Sequence, residues 1–454
     1  MNPTLESLPK TSLLRLYDYA TQGNSFSLDG FPALKKGKDW QTRLVEFIEL
    51  KGALGMTTNQ TLFRQLLETG VLDERLRGFH AEGRSPEEIY RILYNEAATQ
   101  AARSFSAVHA QWPWEGRVSQ EASALLTELD PLVRDVQRIA SAMHGVGAFT
   151  KIPNLRVGPQ AIRLAMAGGQ VHPNVTLVFS DRHYLDTVEG YLLGLKDLAD
   201  RGMNLAEIYS VNSLFVSRVD RVVDPLIALR QTQGDRLDLL KGKVAVAQAK
   251  KVYAMFEAIF LGKEFPDPEG LYADTVGGLM LEQIALLRSL YKKLKHFGAN
   301  PQRLLIASSG VKSDQPYHPL LYVLPFLGPW TANTLPEGTL DAFSRFVAGL
   351  SDDQVESLKR RNLMAEPFPA IPTDAQPVQA WERALLMQAN ERRREGIAEI
   401  TPDQILREVS ERVLRPKGTS LREICDELRD KGAQAFTADE QATLQAIQTK
   451  LQQL

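Results

Sequence analysis

Short runs of β-branched and apolar residues alternate with longer amphipathic segments over residues 1–345 of the chain. In segments such as PEEIYRILYNEAATQAARSF (from Pro86), the apolar positions recur at helical spacing, and such segments separate nearly all of the short runs. Strands that alternate with helices favour a parallel sheet, and eight of them favour its closure into a (β/α)8 TIM barrel. The eight runs are SFSLDG (from Ser25), ALGMTTN (from Ala53), GRVSQEA (from Gly116), AFTKIPN (from Ala148), NVTLVFS (from Asn174), IYSVNSLFVSR (from Ile208), RLLIASSG (from Arg303) and WTANTLP (from Trp330).

The pattern changes after the eighth run, and three parts are expected. Residues 1–345 form the barrel with an extra N-terminal helix, 346–377 form a connector, and 378–454 form a C-terminal helical segment. The stretch MAEPFPAIPTDAQP (from Met364) is proline-rich, which is typical of an extended connector. The C-terminal segment is charged, helical in pattern and predicted to contain no strand. It is expected to pack on or near the barrel, with a separate binding module as the alternative.

Each of the eight runs begins with apolar residues and ends in side chains that can do chemistry. In a barrel of this kind the C-terminal ends of all strands converge on one mouth, where the active site lies. Clusters that are far apart in sequence are therefore predicted to meet in one small volume. They are Asp29, Asn59, Glu121, Lys151, Thr176 with Ser180, Ser213 with Arg218, Ser308 with Lys312, and Asn333.

Lys151 stands out because it lies inside GAFTKIPN, among apolar and small residues. Lysine is rarely buried, since desolvating its ammonium group is unfavourable. A lysine in an apolar site loses its proton more easily, and the neutral amine can then attack a carbonyl to form an imine. The alternative is a lysine at a strand end whose ammonium group reaches solvent.

Asp29 and Glu121 end two other runs and are candidate acid–base groups. One carboxylate could position and polarise substrate hydroxyls, and the other could relay protons through a water molecule while an imine forms and collapses. Taken singly, each could instead be a helix cap or a surface carboxylate. Two carboxylates at the mouth beside a buried lysine favour the catalytic interpretation.

Arg218 and Lys312 end the sixth and seventh runs, and they are candidate phosphate ligands. Phosphate sites in these barrels are often built near the seventh and eighth strands, and guanidinium and ammonium groups suit them. Ser308 and its neighbours would let backbone N–H groups approach the same anion. The alternative is a pair of ordinary solvated cations.

Four uncharged polar side chains suit sugar hydroxyls or a water molecule, although each could simply satisfy backbone groups at a strand end. An aromatic side chain, Phe215, could shield an imine from bulk water, with plain core packing as its alternative. The four polar residues are Asn59, Asn174, Thr176 and Ser213.

Composition narrows the classes of function. The 454 residues are 44% hydrophobic and 24% charged, with a net charge of −2 and one cysteine, Cys425. These values predict a large core and argue against bulk attraction to nucleic acid, a disulfide framework or a cysteine-based metal site. Phosphate-binding and dinucleotide-binding glycine loops and H-E-x-x-H are missing from the sequence, and the seven histidines lack metal-ligand spacing. We therefore expect no cofactor and no metal.

Because the N-terminus lacks signal-peptide features and no apolar stretch is long enough to span a bilayer, we expect a cytoplasmic enzyme without membrane partners.

The same runs, taken in order, resemble the successive motifs of the transaldolase family, in its longer bacterial and plant-type branch. The motifs are SLDG, GMTTNQTLF, GRVSQEA, TKIPN, NVTLVFS, SLFVSRVD, ASSGVK and NTLPEGTLDAF. The resemblance covers about residues 12–345 well and the C-terminal segment only loosely. It implies a class I aldolase-type barrel of the non-oxidative pentose phosphate pathway. Such an enzyme moves a dihydroxyacetone unit from sedoheptulose 7-phosphate or fructose 6-phosphate to glyceraldehyde 3-phosphate or erythrose 4-phosphate.

The resemblance also implies roles for individual residues. Lys151 matches the Schiff-base lysine, Asp29 the catalytic aspartate and Glu121 the proton-relaying glutamate. Thr176 matches the threonine that positions a water molecule. The side chains matched to substrate binding are Asn59, Asn174, Ser213, Phe215, Arg218 and Lys312.

Three departures from the family pattern put loop geometry and substrate preference in question. Gln60 replaces a usual proline, the proline that often follows the glutamate is missing after Glu121, and the tail is longer and more charged.

Two other functions stay open. One is an aldolase that releases dihydroxyacetone to water, although such relatives carry tyrosine at the position of Phe215. The other is a non-catalytic scaffold that binds partners through its tail. A monomer and a homodimer are both compatible with the sequence.

Overall fold

Eight parallel strands follow one another around a closed barrel in chain order, and the eighth pairs with the first. The computed structural model describes residues 8–33, 39–231, 236–266, 275–371 and 378–453. Each of the eight predicted runs coincides with one of these strands, with two strands starting one residue earlier, so the predicted (β/α)8 barrel is confirmed. The strands are β1 (Ser25–Asp29), β2 (Gly55–Thr57), β3 (Arg117–Glu121), β4 (Ala148–Pro153), β5 (Pro173–Val178), β6 (Ser210–Phe215), β7 (Gln302–Ala307) and β8 (Thr331–Pro336).

Twelve α-helices in the described part of the barrel surround or connect these strands. Apolar residues recur at helical spacing in these segments, and α1, α2, α4 and α8 each begin behind a residue whose side chain caps the helix. For example, Ser85 and Glu88 form a capping box at the start of α4, with Pro86 at the first helical position. The helices are α1 (Trp40–Glu49), α2 (Gln60–Glu68), α3 (Asp73–Ala81), α4 (Pro86–Ser104), α5 (Ser106–Gln111), α6 (Leu129–Ala142), α7 (Gly158–Ala165), α8 (Asp181–Ala199), α9 (Ser217–Arg230), α10 (Val244–Phe256), α11 (Thr275–Leu294) and α12 (Glu337–Ala348).

Two of the predicted segments outside the strands differ in detail from what the pattern suggested. Before β1, the described residues contain one short 3-10 helix, Leu13–Arg15, where an extra N-terminal helix was expected. The predicted connector, 346–377, begins inside α12 and contains a further helix, α13 (Asp352–Arg360), and a short strand, β9 (Phe368–Pro369). Residues 372–377 of that connector lie outside the described residues.

The C-terminal segment is largely helical, but the expectation that it has no strand is wrong. A two-residue strand, β10 (Glu399–Ile400), pairs antiparallel with β9. Two residues are too few to show the alternating pattern by which strands are detected in a sequence. The helices of this segment are α14 (Val378–Leu386), α15 (Ala389–Arg394), α16 (Pro402–Val409) and α17 (Leu421–Gln453).

The last helix, α17, crosses the C-terminal side of the barrel. It packs against α2, α3, α4 and α9 and against β5. The buried residues of this helix from Gly432 onward recur every three or four positions, which puts them on one face of the helix. They include Gly432, Phe436, Glu440, Thr443, Ile447 and Leu451. No helix in the described part of the chain combines the length and the apolar character needed to cross a membrane.

A buried ion pair closes the N-terminal end of the barrel. Arg303, near the start of β7, is 4% exposed and lies 2.9 Å from the carboxylate of Glu115, which precedes β3. Glu115 also accepts a hydrogen bond from Ser25 at the start of β1 (2.9 Å). These contacts tie three strands together at the end opposite the mouth.

We expect Glu115→Gln to lower the free energy of unfolding by about 3–5 kcal/mol, because it leaves the Arg303 charge buried without its partner. The matched control is Glu96→Gln. Arg75 and Glu96 also form an ion pair, but both side chains are about half exposed, so their separation should change stability by under about 1 kcal/mol. Urea unfolding gives the free energy of unfolding of both variants, and equal decreases would contradict this account of the N-terminal end of the barrel.

Candidate active site

A cavity of about 150 Å³ opens at the C-terminal ends of the strands, where the sequence predicted the polar clusters to meet. Most of the predicted site residues line it, together with side chains that the sequence did not single out. Its walls are Asp29, Thr57, Asn59, Lys151, Thr176, Ser213, Phe215, Arg218, Ala307, Ser308, Gly310, Lys312, Thr334, Pro336 and Phe436. Of the other predicted residues, Glu121 lies next to Lys151 and Asn174 lies behind Ser213. Ser180 and Asn333 are not among the lining residues, because Ser180 caps α8 and Asn333 donates a hydrogen bond to the carbonyl oxygen of Tyr322.

Strand register brings the central lysine to its neighbours. Lys151 in β4 is level with Glu121 in β3 and with Asn174 in β5. Residues at the same level of adjacent parallel strands direct their side chains to the same face of the sheet. Lys151 is 6% exposed, and its Nζ donates a hydrogen bond to the carbonyl oxygen of Thr58 at 3.0 Å. The same Nζ lies 3.6 Å from Oε2 of Glu121.

Glu121 is a buried carboxyl group with unusual electrostatics. Within the described residues, neither of its carboxyl oxygens has a hydrogen-bond partner. Burial raises the pKa of Glu121 to about 7; the Lys151 ammonium opposes this shift, and the Glu440 carboxylate adds to it. At neutral pH, Glu121 can therefore both accept and donate a proton.

Asp29 ends β1 and is held by a chain of hydroxyl groups. Its Oδ1 accepts a hydrogen bond from Thr57 Oγ1 (2.7 Å), and that hydroxyl is also 2.7 Å from Oγ1 of Thr334. These contacts come from β2 and β8, the two strands that flank β1. The Asp29 carboxylate is thus fixed at the rim of the cavity.

A second polar chain runs behind the cavity wall. Ser213 Oγ donates to Asn174 Oδ1 (2.6 Å), and Asn174 Nδ2 donates to Ser119 Oγ (2.9 Å). Thr176 is fully buried and lines the cavity, and its hydroxyl has no hydrogen-bond partner in the described part of the chain. It is therefore available to a water molecule or a substrate hydroxyl.

Asn59 lies at the cavity wall and also caps α2. Its Oδ1 accepts a hydrogen bond from the backbone N–H of Leu62 (3.0 Å). The next residue, Gln60, begins α2 and is fully buried. The glutamine that replaces the usual proline is thus packed within the fold.

The cations lie on one side of the cavity. Arg218, in the first turn of α9, has its guanidinium 5.1 Å from the ring centre of Phe215. Burial lowers the pKa of Arg218, and the nearby carboxylates of Asp29 and Glu121 oppose this shift. Lys312 is exposed in the loop after β7, beyond Ser308 and Gly310, which also line the cavity. Two positive side chains beside backbone N–H groups form a suitable anion site.

The sequence analysis missed several residues that belong to this site. Thr57 and Thr334 lie within runs that it identified, and their positions at strand ends could have revealed them. Phe436 and Glu440 carry no such signal, because they come from a long helix more than 280 residues after Lys151. Within the described ranges, no group of three or more His, Cys, Asp or Glu side chains is arranged to hold a metal ion.

Comparison with known proteins identifies the family of this barrel. Residues 39–368 match the family model of transaldolase/fructose-6-phosphate aldolase. The chain is 32% identical over 334 residues to transaldolase 1 of Streptomyces avermitilis, an alignment that covers 73% of this chain and 79% of the relative. It is 34% identical over 314 residues to a transaldolase of Saccharopolyspora erythraea (69% and 76%) and 33% identical over 309 residues to one of Thermobifida fusca (66% and 74%).

The matched region contains Lys151, Glu121 and the strands that surround them, and the sequence had already suggested this family from its ordered motifs. The prediction of a transaldolase-type transferase is therefore confirmed at the level of the family. The chain belongs to the transaldolase/fructose-6-phosphate aldolase family.

Proposed function

We propose that the protein transfers a dihydroxyacetone unit from a ketose phosphate, fructose 6-phosphate or sedoheptulose 7-phosphate, to an aldose phosphate through a Schiff base on Lys151. The acceptors are erythrose 4-phosphate and glyceraldehyde 3-phosphate. The observation that carries the proposal is the pair formed by Lys151 Nζ and Glu121 Oε2, 3.6 Å apart beside a cavity that two cations line. A cytoplasmic location stays a prediction.

The first step is attack of the Lys151 amine on the ketose carbonyl carbon. The amine proton must leave and the carbonyl oxygen must depart as water, so a group that both accepts and donates protons is required. Glu121 has this ability because its pKa is about 7. The Thr176 hydroxyl would hold the water molecule through which Glu121 exchanges protons with the substrate.

The second step breaks the C–C bond. Asp29 removes the proton from the substrate hydroxyl on the leaving half, the carbonyl of the product aldose forms, and the bond electrons move onto the three-carbon imine. The protonated imine stabilises this charge as an enamine. In the second half-reaction the enamine carbon attacks the acceptor aldehyde, and Asp29 returns the proton to the new hydroxyl group.

The phosphate group would bind between Arg218 and Lys312 beside the backbone of Ser308 and Gly310. Arg218 forms no ion pair with a protein carboxylate in the described part of the chain, so its guanidinium can meet a ligand anion.

We expect Arg218→Gln to raise KM for fructose 6-phosphate about 30-fold, because it removes one charge-assisted contact worth about 2 kcal/mol.

The same variant should leave KM for unphosphorylated fructose nearly unchanged, since that substrate has no phosphate to lose. Steady-state kinetics with both donors give the comparison. An equal rise in both KM values would mean that Arg218 acts on the fold of the cavity rather than on phosphate.

Transfer and simple cleavage are separated by the acceptor. We expect glyceraldehyde 3-phosphate to form from fructose 6-phosphate at least about tenfold faster when erythrose 4-phosphate is present, with sedoheptulose 7-phosphate as the second product. Phe215 supports transfer, because the aldolases of the family that the sequence resembles carry tyrosine at this position. Equal rates with and without the acceptor, and dihydroxyacetone as the product, would favour the aldolase instead.

A further inference from the structure

Helix α17 contributes one aromatic side chain to the wall of the catalytic cavity. Phe436 is 6% exposed and lines the cavity, and its ring centre lies 6.0 Å from Nζ of Lys151. It lies outside residues 39–368, the part of the chain that matches the family model. The barrel motifs therefore do not account for this residue.

The position of Phe436 is fixed by hydrogen bonds on the next turn of α17. The carboxylate of Glu440 accepts hydrogen bonds from Ser123 Oγ (2.7 Å) and from the backbone N–H of Ala124 (2.6 Å). Thr437 Oγ1 donates to the carbonyl oxygen of Ala124 (2.9 Å). Ser123 and Ala124 follow Glu121 by two and three residues, so α17 is attached directly to the loop that leaves the catalytic strand.

The preceding turn of α17 comes close to the other side of the cavity. A Cβ atom at Gly432 would lie 2.9 Å from Cδ2 of Leu177 and 3.5 Å from Nη1 of Arg218. Only a residue without a side chain permits this approach without displacement. Between Gly432 and Glu440 the helix thus spans from Arg218 to the loop after β3 that contains Ser123 and Ala124 (the β3 loop), and Phe436 lies over Lys151.

We propose that Phe436 is a specificity-determining residue that closes the cavity over the Lys151 adduct and favours transfer to an aldose phosphate over release to water. The inference rests on the proposed function, because it concerns the fate of the three-carbon enamine. An apolar ring at this distance removes bulk water from one face of the adduct.

The enamine has two fates that differ in what reaches it. In transfer, its carbon forms a bond to the acceptor aldehyde carbon, the aldehyde oxygen takes up the proton from Asp29, and water then hydrolyses the product imine. In release, the same carbon takes up a proton, water adds to the imine carbon, and the C–N bond breaks to give dihydroxyacetone and the lysine amine. The second route is limited by how easily a proton and water reach the adduct before the acceptor does.

The test compares Phe436→Ala with Phe436→Leu and with Ile447→Ala. Ile447 is fully buried on the same face of α17 but is not among the residues that line the cavity. Its truncation loosens the packing of the helix without changing the cavity wall. Each purified full-length variant receives fructose 6-phosphate, with and without erythrose 4-phosphate, and dihydroxyacetone and sedoheptulose 7-phosphate are measured.

We expect Phe436→Ala to raise the ratio of dihydroxyacetone released to sedoheptulose 7-phosphate formed by about tenfold, Phe436→Leu to raise it less, and Ile447→Ala to leave it unchanged. An unchanged ratio in both Phe436 variants, or an equal rise in Ile447→Ala, overturns the inference. Borohydride treatment with fructose 6-phosphate is run in parallel. An adduct on Lys151 with an unchanged ratio rejects only the role of Phe436, whereas a folded protein without any adduct rejects the proposed function itself.

Discussion

Replacement of Lys151 by methionine is expected to lower kcat/KM for transfer by at least about 10⁴-fold, because it removes the amine on which the imine of both half-reactions is proposed to form. Methionine has nearly the length of lysine and is tolerated in apolar surroundings. The substitution also removes the cation beside Glu121, whose carboxyl group can remain neutral. The variant should therefore fold.

Lys250→Met is the matched control for this variant. Lys250 is also buried, its pKa is lowered by burial to about 7, and its Nζ donates to the carbonyl oxygens of Leu363 and Glu366. It does not line the catalytic cavity. Its loss should reduce stability but leave a protein that still forms the imine. Activity is followed as sedoheptulose 7-phosphate formation, and circular dichroism checks the fold. Transfer by Lys151→Met at more than a hundredth of the normal rate would contradict the assigned nucleophile.

Replacement of Glu121 by glutamine should lower kcat/KM by about 10²–10⁴-fold, the range typical of a lost general acid–base group. Glutamine keeps the shape of the side chain but cannot accept and return the proton. In the unmodified enzyme, kcat/KM should fall as the pH drops below about 7, because protonated Glu121 cannot accept the proton from Lys151. That limb of the pH profile should be missing in Glu121→Gln.

Glu440→Gln is a control on the origin of this limb. Lys151, Glu440 and Asp29 are the charged groups that shift the pKa of Glu121, and removal of the Glu440 charge lowers that pKa. We expect the limb to move to lower pH, with a much smaller loss of rate than in Glu121→Gln. A limb near pH 7 that persists unchanged in Glu121→Gln would show that another group titrates there.

The barrel and the meeting of its strand ends could be predicted from the sequence, because they depend on local periodicity. Each strand shows an apolar run, and a closed parallel barrel leaves one arrangement for the ends of eight such runs. This geometry alone predicts that Asp29 and Lys312, which are far apart in sequence, lie at the same end of the barrel. The side-by-side position of Glu121, Lys151 and Asn174 follows from strand register, which the sequence does not give directly.

The contribution of the tail could not be predicted, because helical periodicity shows which face of a helix is buried but not what covers it. The stripe of α17 that contains Gly432, Phe436 and Glu440 looks like any amphipathic face. Its partners are Leu177, Lys151 and the β3 loop, which are hundreds of residues away in sequence. The sequence left open whether the tail packs on or near the barrel or forms a separate binding module. The contacts of Phe436 and Glu440 put this part of the tail at the mouth.

The most direct test of the central claim is borohydride reduction in the presence of fructose 6-phosphate, followed by mass spectrometry of the digested protein. The account predicts a reduced three-carbon adduct on the peptide that contains Lys151, and its loss in Lys151→Met but not in Lys250→Met. An adduct on another lysine, or a folded protein that forms none, would contradict the account.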